Sequence, residues 1–123
     1  MFRLKRKYEF HAARKLIALR DNHPCGELHG HTFTVTIKVS GNQLTDEGWI
    51  MDFYDIDNLF KEKVYKTLDH KYLNDIEGLS NPTTEHVAIW IWNKLENDLS
   101  GLSSVSVSEG NSYGCKYYGD KNA

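Results

Sequence analysis

Cysteine is scarce in this 123-residue chain: Cys25 and Cys115 are the two it has, and they lie far apart in the sequence. Nothing points to an oxidising compartment, and both are read as thiols. Long apolar runs are also missing. No stretch approaches the ~20 residues of a membrane span, and Met1-Phe2-Arg3-Leu4 leads straight into alternating residues without an apolar leader, so a cytoplasmic protein with no membrane partner is expected. The formal charge of −2 and the absence of any basic run beyond Arg3-Lys5-Arg6-Lys7 exclude a nucleic-acid binder held mainly by charge. That basic cluster instead suits a strand edge, where Lys and Arg discourage pairing between sheets. There are no internal repeats and no low-complexity segment. The length fits one domain, residues 1–123, burying on the order of two thirds of its unfolded surface.

Periodicity orders what is present. Phe2, Leu4, Tyr8, Phe10 and Ala12 occupy even positions between charged neighbours, which predicts a strand over 1–13 with one apolar face. Pro24 and Gly26 mark an irregular connection that places Cys25 on a loop. His29, His31, Phe33, Val35, Ile37 and Val39 then alternate with Gly30 and threonines, a second strand that turns at Gly41-Asn42, with Trp49-Ile50-Met51-Asp52 expected to return beside it as a hairpin arm. Phe53, Ile56, Leu59, Phe60 and Val64 recur at three and four, predicting an amphipathic helix over 53–68. Pro82, with Asn81 or Thr83 as cap, starts a second helix whose stripe is Val87, Ala88, Ile91, Leu95 and Leu99; Trp90 and Trp92 flank it as packing residues. Val105, Val107 and Glu109 share a strand face, and Tyr113, Cys115 and Tyr117 follow a turn at Gly110-Asn111. The order predicts an α+β protein, an antiparallel sheet with two helices packed on one face.

Three groupings carry chemistry. Cys25-Gly26-Glu27-Leu28-His29-Gly30-His31 sets a thiol beside two imidazoles that head one strand face, neighbours ~6 to 7 Å apart. Such a pair suits a metal and equally suits two hydrogen-bonded histidines, with Cys25 as a further ligand or, if its thiolate is favoured, as a base. Glu109 continues the apolar parity of Val105 and Val107 and so points inward, where an unpaired carboxylate is costly. Its partner is either a structural Arg or Lys or a ligand offering two parallel N–H donors. Asp69-His70 places an acid next to an imidazole, either by chance or as a proton-transfer pair.

Taken together, Phe10-His11-Ala12-Ala13-Arg14-Lys15-Leu16, the Cys25 to His31 segment, Gly48-Trp49-Ile50-Met51-Asp52-Phe53, Leu68-Asp69-His70, Leu73-Asn74, Asn81-Pro82-Thr83-Thr84-Glu85 and Val107-Ser108-Glu109 resemble a known group. It is the 6-pyruvoyl-tetrahydropterin and 6-carboxy-tetrahydropterin synthase family of tunnelling-fold (T-fold) pterin enzymes. The short gap from Cys25 to His29 is similar to the 6-carboxy branch of the queuosine and deazapurine pathway. The resemblance implies a carbon-carbon lyase that converts 7,8-dihydroneopterin triphosphate to 6-carboxy-5,6,7,8-tetrahydropterin, releasing triphosphate and acetaldehyde. It further implies Zn2+, or another divalent transition metal, on His29 and His31; Cys25 as base; Asp69 and His70 as proton shuttle; and Glu109 gripping the pterin, with Thr83 and Thr84 completing the pocket. Glu85 is read as structural. Members assemble as homo-oligomers, hexamers built as dimers of trimers with shared active sites. The alternatives are a 6-pyruvoyl-type synthase and a pterin-binding relative without turnover.

The chain departs from the pattern at one place. Where the family has its first zinc histidine this sequence has Arg14. His11 is the natural substitute ligand if the Ala12-Ala13 segment bulges; His23 is the other candidate and His86 the weakest, with a carboxylate, Cys25 itself or a site without a third protein ligand also open. Arg14 itself is then expected to meet the triphosphate.

Overall fold

A computed structural model describes residues 1–17 and 28–119, the side chain of His29 excepted. Cys25 and His23, both singled out above, lie outside the described residues.

The two alternating segments form β1 (Phe2–Arg14) and β2 (His29–Gly41), antiparallel and in unbroken register from Phe2 opposite Gly41 to Arg14 opposite His29. The β-branched run of β2 fits a sheet flanked on both sides. β3 (Leu102–Glu109) pairs its other edge, with Phe33 opposite Glu109 and an irregularity at Lys38 and Val39, and β4 (Tyr113–Tyr117) closes the order β1-β2-β3-β4. Before β3 the chain turns at Gly101 with φ 88°, and a Cβ there would collide with the Ser40 carbonyl oxygen.

α1 (Phe53–Phe60) starts at Asp52, whose carboxylate accepts from the Tyr54 N–H at 2.9 Å. It runs through a π-helical turn, Lys61–Tyr65, into the short α2 (Lys66–Leu68), so the predicted helix is continuous in space but changes its hydrogen-bond step midway. α3 (Thr84–Leu95) is capped by Thr83, which accepts from the His86 N–H at 3.1 Å. Buried Ile56, Phe60, Val64 and Leu68, with Val87, Ala88, Ile91 and Leu95, cover the sheet face that carries Phe10, Phe33, Val35, Ile37, Val105 and Val107. Trp90 and Trp92 are buried as packing residues, the latter edge-on to Tyr117 at 5.5 Å.

The expected hairpin arm at Trp49 to Asp52 is not a strand. Thr45 and Trp49 close a tight loop through a 2.9 Å backbone hydrogen bond, and Asp52 caps α1. The physical reason is that β2 already has a neighbour on each edge, β1 and β3, which leaves no ladder position for a third partner. No helix among the described residues is long and apolar enough to cross a membrane.

Candidate active site

The chemistry gathers where β1 ends and β2 begins. Because β1 and β2 pair without a bulge, parity assigns each side chain to a face: Ala12 and Arg14 go with His31 and Phe33 toward the helices, while His11 lies opposite Thr32 on the other face. His11 Nδ1 is 3.0 Å from Thr32 Oγ1, and its Nε2 is 3.7 Å from Glu9. The structure therefore does not bring His11 together with His31; the bulge that would have turned it is absent from this register.

On the helix face the inward Glu109 does have the basic partner that parity alone left open. Arg14 Nη2 donates to Glu109 Oε2 at 2.5 Å, and Nη1 donates to the Pro82 carbonyl at 3.0 Å. The Arg14 and Glu109 side chains are 8% and 7% exposed, and the Phe33 ring lies 5.0 Å from the guanidinium carbon. Arg14 is thus turned inward, toward Glu109 and the Pro82 carbonyl. His31 Nδ1 stands 2.7 Å from Glu109 Oε1, inside ion-pair range. Yet that oxygen, fully buried, receives no aligned hydrogen bond among the described residues, so the contact is close but off-axis. Thr84 Oγ1 reaches Oε2 at a long 3.4 Å, while the Thr83 hydroxyl is engaged as the α3 cap. Arg14, Leu16, His31, Thr83, Thr84, Glu85, Glu109 and Tyr113 line a cavity of about 300 Å³.

Along the outer edge of β1 Asp69 organises a second cluster. Its Oδ1 accepts from the His11 backbone N–H at 2.9 Å and its Oδ2 lies 2.6 Å from His70 Nδ1. Burial alone would raise the Asp69 carboxyl, but the His11 N–H, His70 and the Tyr65 hydroxyl outweigh it and hold the group below its ordinary value. The same contact pushes the Tyr65 phenol up. With Asp69 ionised, His70 Nδ1 is the natural donor and Nε2 is left to exchange a proton. His70 sits at φ 59°, a left-handed conformation that costs of order 1 kcal/mol or more in a non-glycine residue. Its N–H donates to the His11 carbonyl at 2.6 Å, which holds it there.

Gly30 and Ala13 face each other between these clusters, so the sheet is thin at this point. A groove of about 530 Å³ runs past His11, Thr32, His70, Lys71 and Tyr72 and reaches His31, which also lines the Glu109 cavity. His31 is the junction of the two spaces.

Sequence reasoning missed the residues that hold the connection after β1. Asn74 accepts from the Lys15 N–H at 2.9 Å and donates to the Lys15 carbonyl at 2.6 Å, and Asn81 accepts from the Ile17 N–H at 3.2 Å. The available signal was two asparagines in irregular segments, where a side-chain amide commonly satisfies loose backbone.

A zinc centre needs about four converging nitrogen, sulfur or oxygen donors. Among the described residues no three His, Cys, Asp or Glu side chains gather in that way. His11 is on the wrong face, and at position 14 stands a guanidinium, which has no lone pair to offer and whose charge already faces Glu109. The described donors by themselves do not complete a zinc site.

The family model described as 6-pyruvoyl tetrahydropterin synthase matches residues 3–120. The chain belongs to that family. Over 123 residues it is 35% identical to 6-carboxy-5,6,7,8-tetrahydropterin synthase of Synechocystis, covering 96% of this chain and 94% of the relative. Dihydroneopterin monophosphate aldolase of Pyrococcus furiosus is 41% identical over 91 residues, 72% of this chain and 75% of that protein. In three dimensions the chain superimposes on 6-pyruvoyl tetrahydropterin synthase of Caenorhabditis elegans with a TM-score of 0.88 at 26% identity, over 97% of this chain and 96% of that one. The architecture of this α+β family member is accordingly the T-fold.

Proposed function

We propose that this member of the family is a 6-carboxy-5,6,7,8-tetrahydropterin synthase acting on 7,8-dihydroneopterin triphosphate. The carrying observation is that His31 borders both the cavity holding Glu109 and the groove holding His70. A bicyclic pterin anchored by its amino and ring N–H edge on Glu109 would extend its side chain past His31 toward His70 Nε2. The buried Oε1, with no aligned hydrogen bond among the described residues, is an acceptor of the kind such an edge needs. His70, oriented by ionised Asp69, exchanges a proton on the side chain, a contribution of ~100 to 10,000-fold. Cys25 is proposed as the opposing base.

Metal dependence is a separate part of the proposal. Zinc or another divalent transition metal would have to draw on His29 and on donors outside the described residues in addition to His31, and no step here is routed through it. Assembly into a homo-oligomer is also proposed; β4 and the first part of β1 are sheet edges open to such pairing, the end of β1 being taken up by His70 and Lys71. We place the protein in the cytoplasm and its product in the queuosine and deazapurine route.

The test is to incubate the purified chain with 7,8-dihydroneopterin triphosphate and identify products by mass. Tetrahydropterin carrying a 6-carboxyl, together with acetaldehyde, is expected. A 6-pyruvoyl product with the side chain intact would move the protein to the other branch. The 41% identity to the Pyrococcus aldolase favours a second reading, cleavage of dihydroneopterin monophosphate, which the same assay covers with that substrate. Pterin binding without turnover of either compound would make the chain a binding protein.

A further inference from the structure

We propose that Arg14 and Glu109 act as one recognition edge that selects a 2-amino-4-oxo pyrimidine ring, with Arg14 the donor to the ring's 4-oxo oxygen. This rests on the pterin reading above and adds a specificity-determining residue to it. Position 14 does not carry a metal ligand. It carries a buried guanidinium whose Nη2 donates to Glu109 Oε2 at 2.5 Å.

Three observations converge. First, both side chains line the same cavity of about 300 Å³ and both are more than nine-tenths buried, so a ligand there meets them without competing water. Second, each keeps hydrogen-bonding capacity. Among the described residues the hydrogen bonds of Arg14 go to Glu109 and to the Pro82 carbonyl, which leaves further N–H groups of the guanidinium, and Glu109 Oε1, though 2.7 Å from His31 Nδ1, receives no aligned bond. Third, the guanidinium is held in place: the Pro82 carbonyl fixes Nη1, and the Phe33 ring lies 5.0 Å from its carbon. A planar donor fork locked beside a carboxylate offers two acceptors and then a donor. The edge of a 2-amino-4-oxo ring offers the complement, its amino group and N3–H as donors and then its carbonyl as acceptor. A carboxylate alone reads only the first two, and the ion pair adds the third.

A 4-amino ring reverses that third position, setting an N–H group against the guanidinium. Glu109 can still hold such an analogue through its 2-amino group and a protonated ring nitrogen, so the analogue reports Glu109 without Arg14. The experiment is to titrate pterin and 2,4-diaminopteridine, by their own fluorescence, into wild type, R14M, R14K and E109Q, with thermal melts on each sample. Wild type is expected to prefer pterin by about tenfold or more, R14M to lose most of that preference, and E109Q to weaken both ligands. R14K retains charge and is the variant that carries the test if R14M does not fold. Its single ammonium cannot serve Glu109 and the ring oxygen with the same planar fork, so its preference should fall measurably below wild type. An unchanged ratio in folded R14M, or in R14K where R14M is unfolded, overturns the role of Arg14 while leaving the pterin site standing. Failure of wild type to bind pterin at all overturns the pterin reading, and this inference with it.

Discussion

Removing one member of the Arg14–Glu109 pair should destabilise the protein far more than removing both. The side chains are 8% and 7% exposed and joined at 2.5 Å, so E109L would leave a buried guanidinium whose remaining partners among the described residues are the Pro82 carbonyl and the Phe33 ring. Breaking a buried pair in this way costs about 3 to 5 kcal/mol. For a chain of this length each kcal/mol moves the melting temperature by roughly 3 to 4 °C, giving a fall of roughly 9 to 20 °C. R14M should cost somewhat less, because His31 Nδ1, 2.7 Å from Oε1, remains as a counter-group for the carboxylate. The double variant R14M/E109L replaces the pair by apolar side chains and should lie within about 2 kcal/mol of wild type. Urea denaturation of the four proteins at one fixed concentration closes the cycle, with an expected coupling of at least about 3 kcal/mol. Additive single effects would show that the two side chains do not meet in solution, and would remove the basis for treating them as one edge.

Three further outcomes follow from the same geometry. His70→Asn keeps a residue that tolerates φ 59° but removes the exchangeable ring proton, so kcat should fall by about 100-fold or more with KM within a few-fold; steady-state kinetics with near-normal kcat would exclude His70 from proton transfer. Arg14→His exchanges a cation for an imidazole on the face that carries His31, and zinc affinity measured by chelator competition should rise at least about tenfold over wild type; equal affinities would show that position 14 plays no part in metal binding. The hydrogen bond from Arg6 chiefly, with that from Tyr8, holds the Asp57 carboxyl below its ordinary value despite partial burial. Its stabilisation is therefore complete above the unfolded-state value near 3.9 and is lost as pH falls through the lower folded value, so melts from pH 6 to about 2 should steepen at the acid end and flatten in D57N. Identical acid limbs would show the Arg6–Asp57–Tyr8 contacts to be absent in solution.

Much of the fold was legible because its signals are local. The alternation in residues 1–13 and 29–40 reports a sheet with one buried face whatever its neighbours are, and the stripe from Phe53 to Val64 reports a helix for the same reason. The Trp49 to Asp52 segment was misread because a short apolar run does not reveal that both edges of β2 are already occupied. The π-helical turn at Lys61–Tyr65 was invisible for a related reason, since Phe60, Val64 and Leu68 keep a helical spacing through it.

The sequence by itself determined that Glu109 points inward and needs a partner, that Asp69 stands beside His70, and that His11 has the opposite parity to Phe10 and Ala12. These are consequences of chain period, written in the order of residues. Only the tertiary structure decided that Arg14, far from Glu109 in sequence, is that partner, that no bulge turns His11 toward His31, and that His31 joins the Glu109 cavity to the His70 groove. Each depends on strand register and on which side chains the packed faces bring within hydrogen-bond distance, and a one-residue slip of β1 against β2 would have reversed the first two.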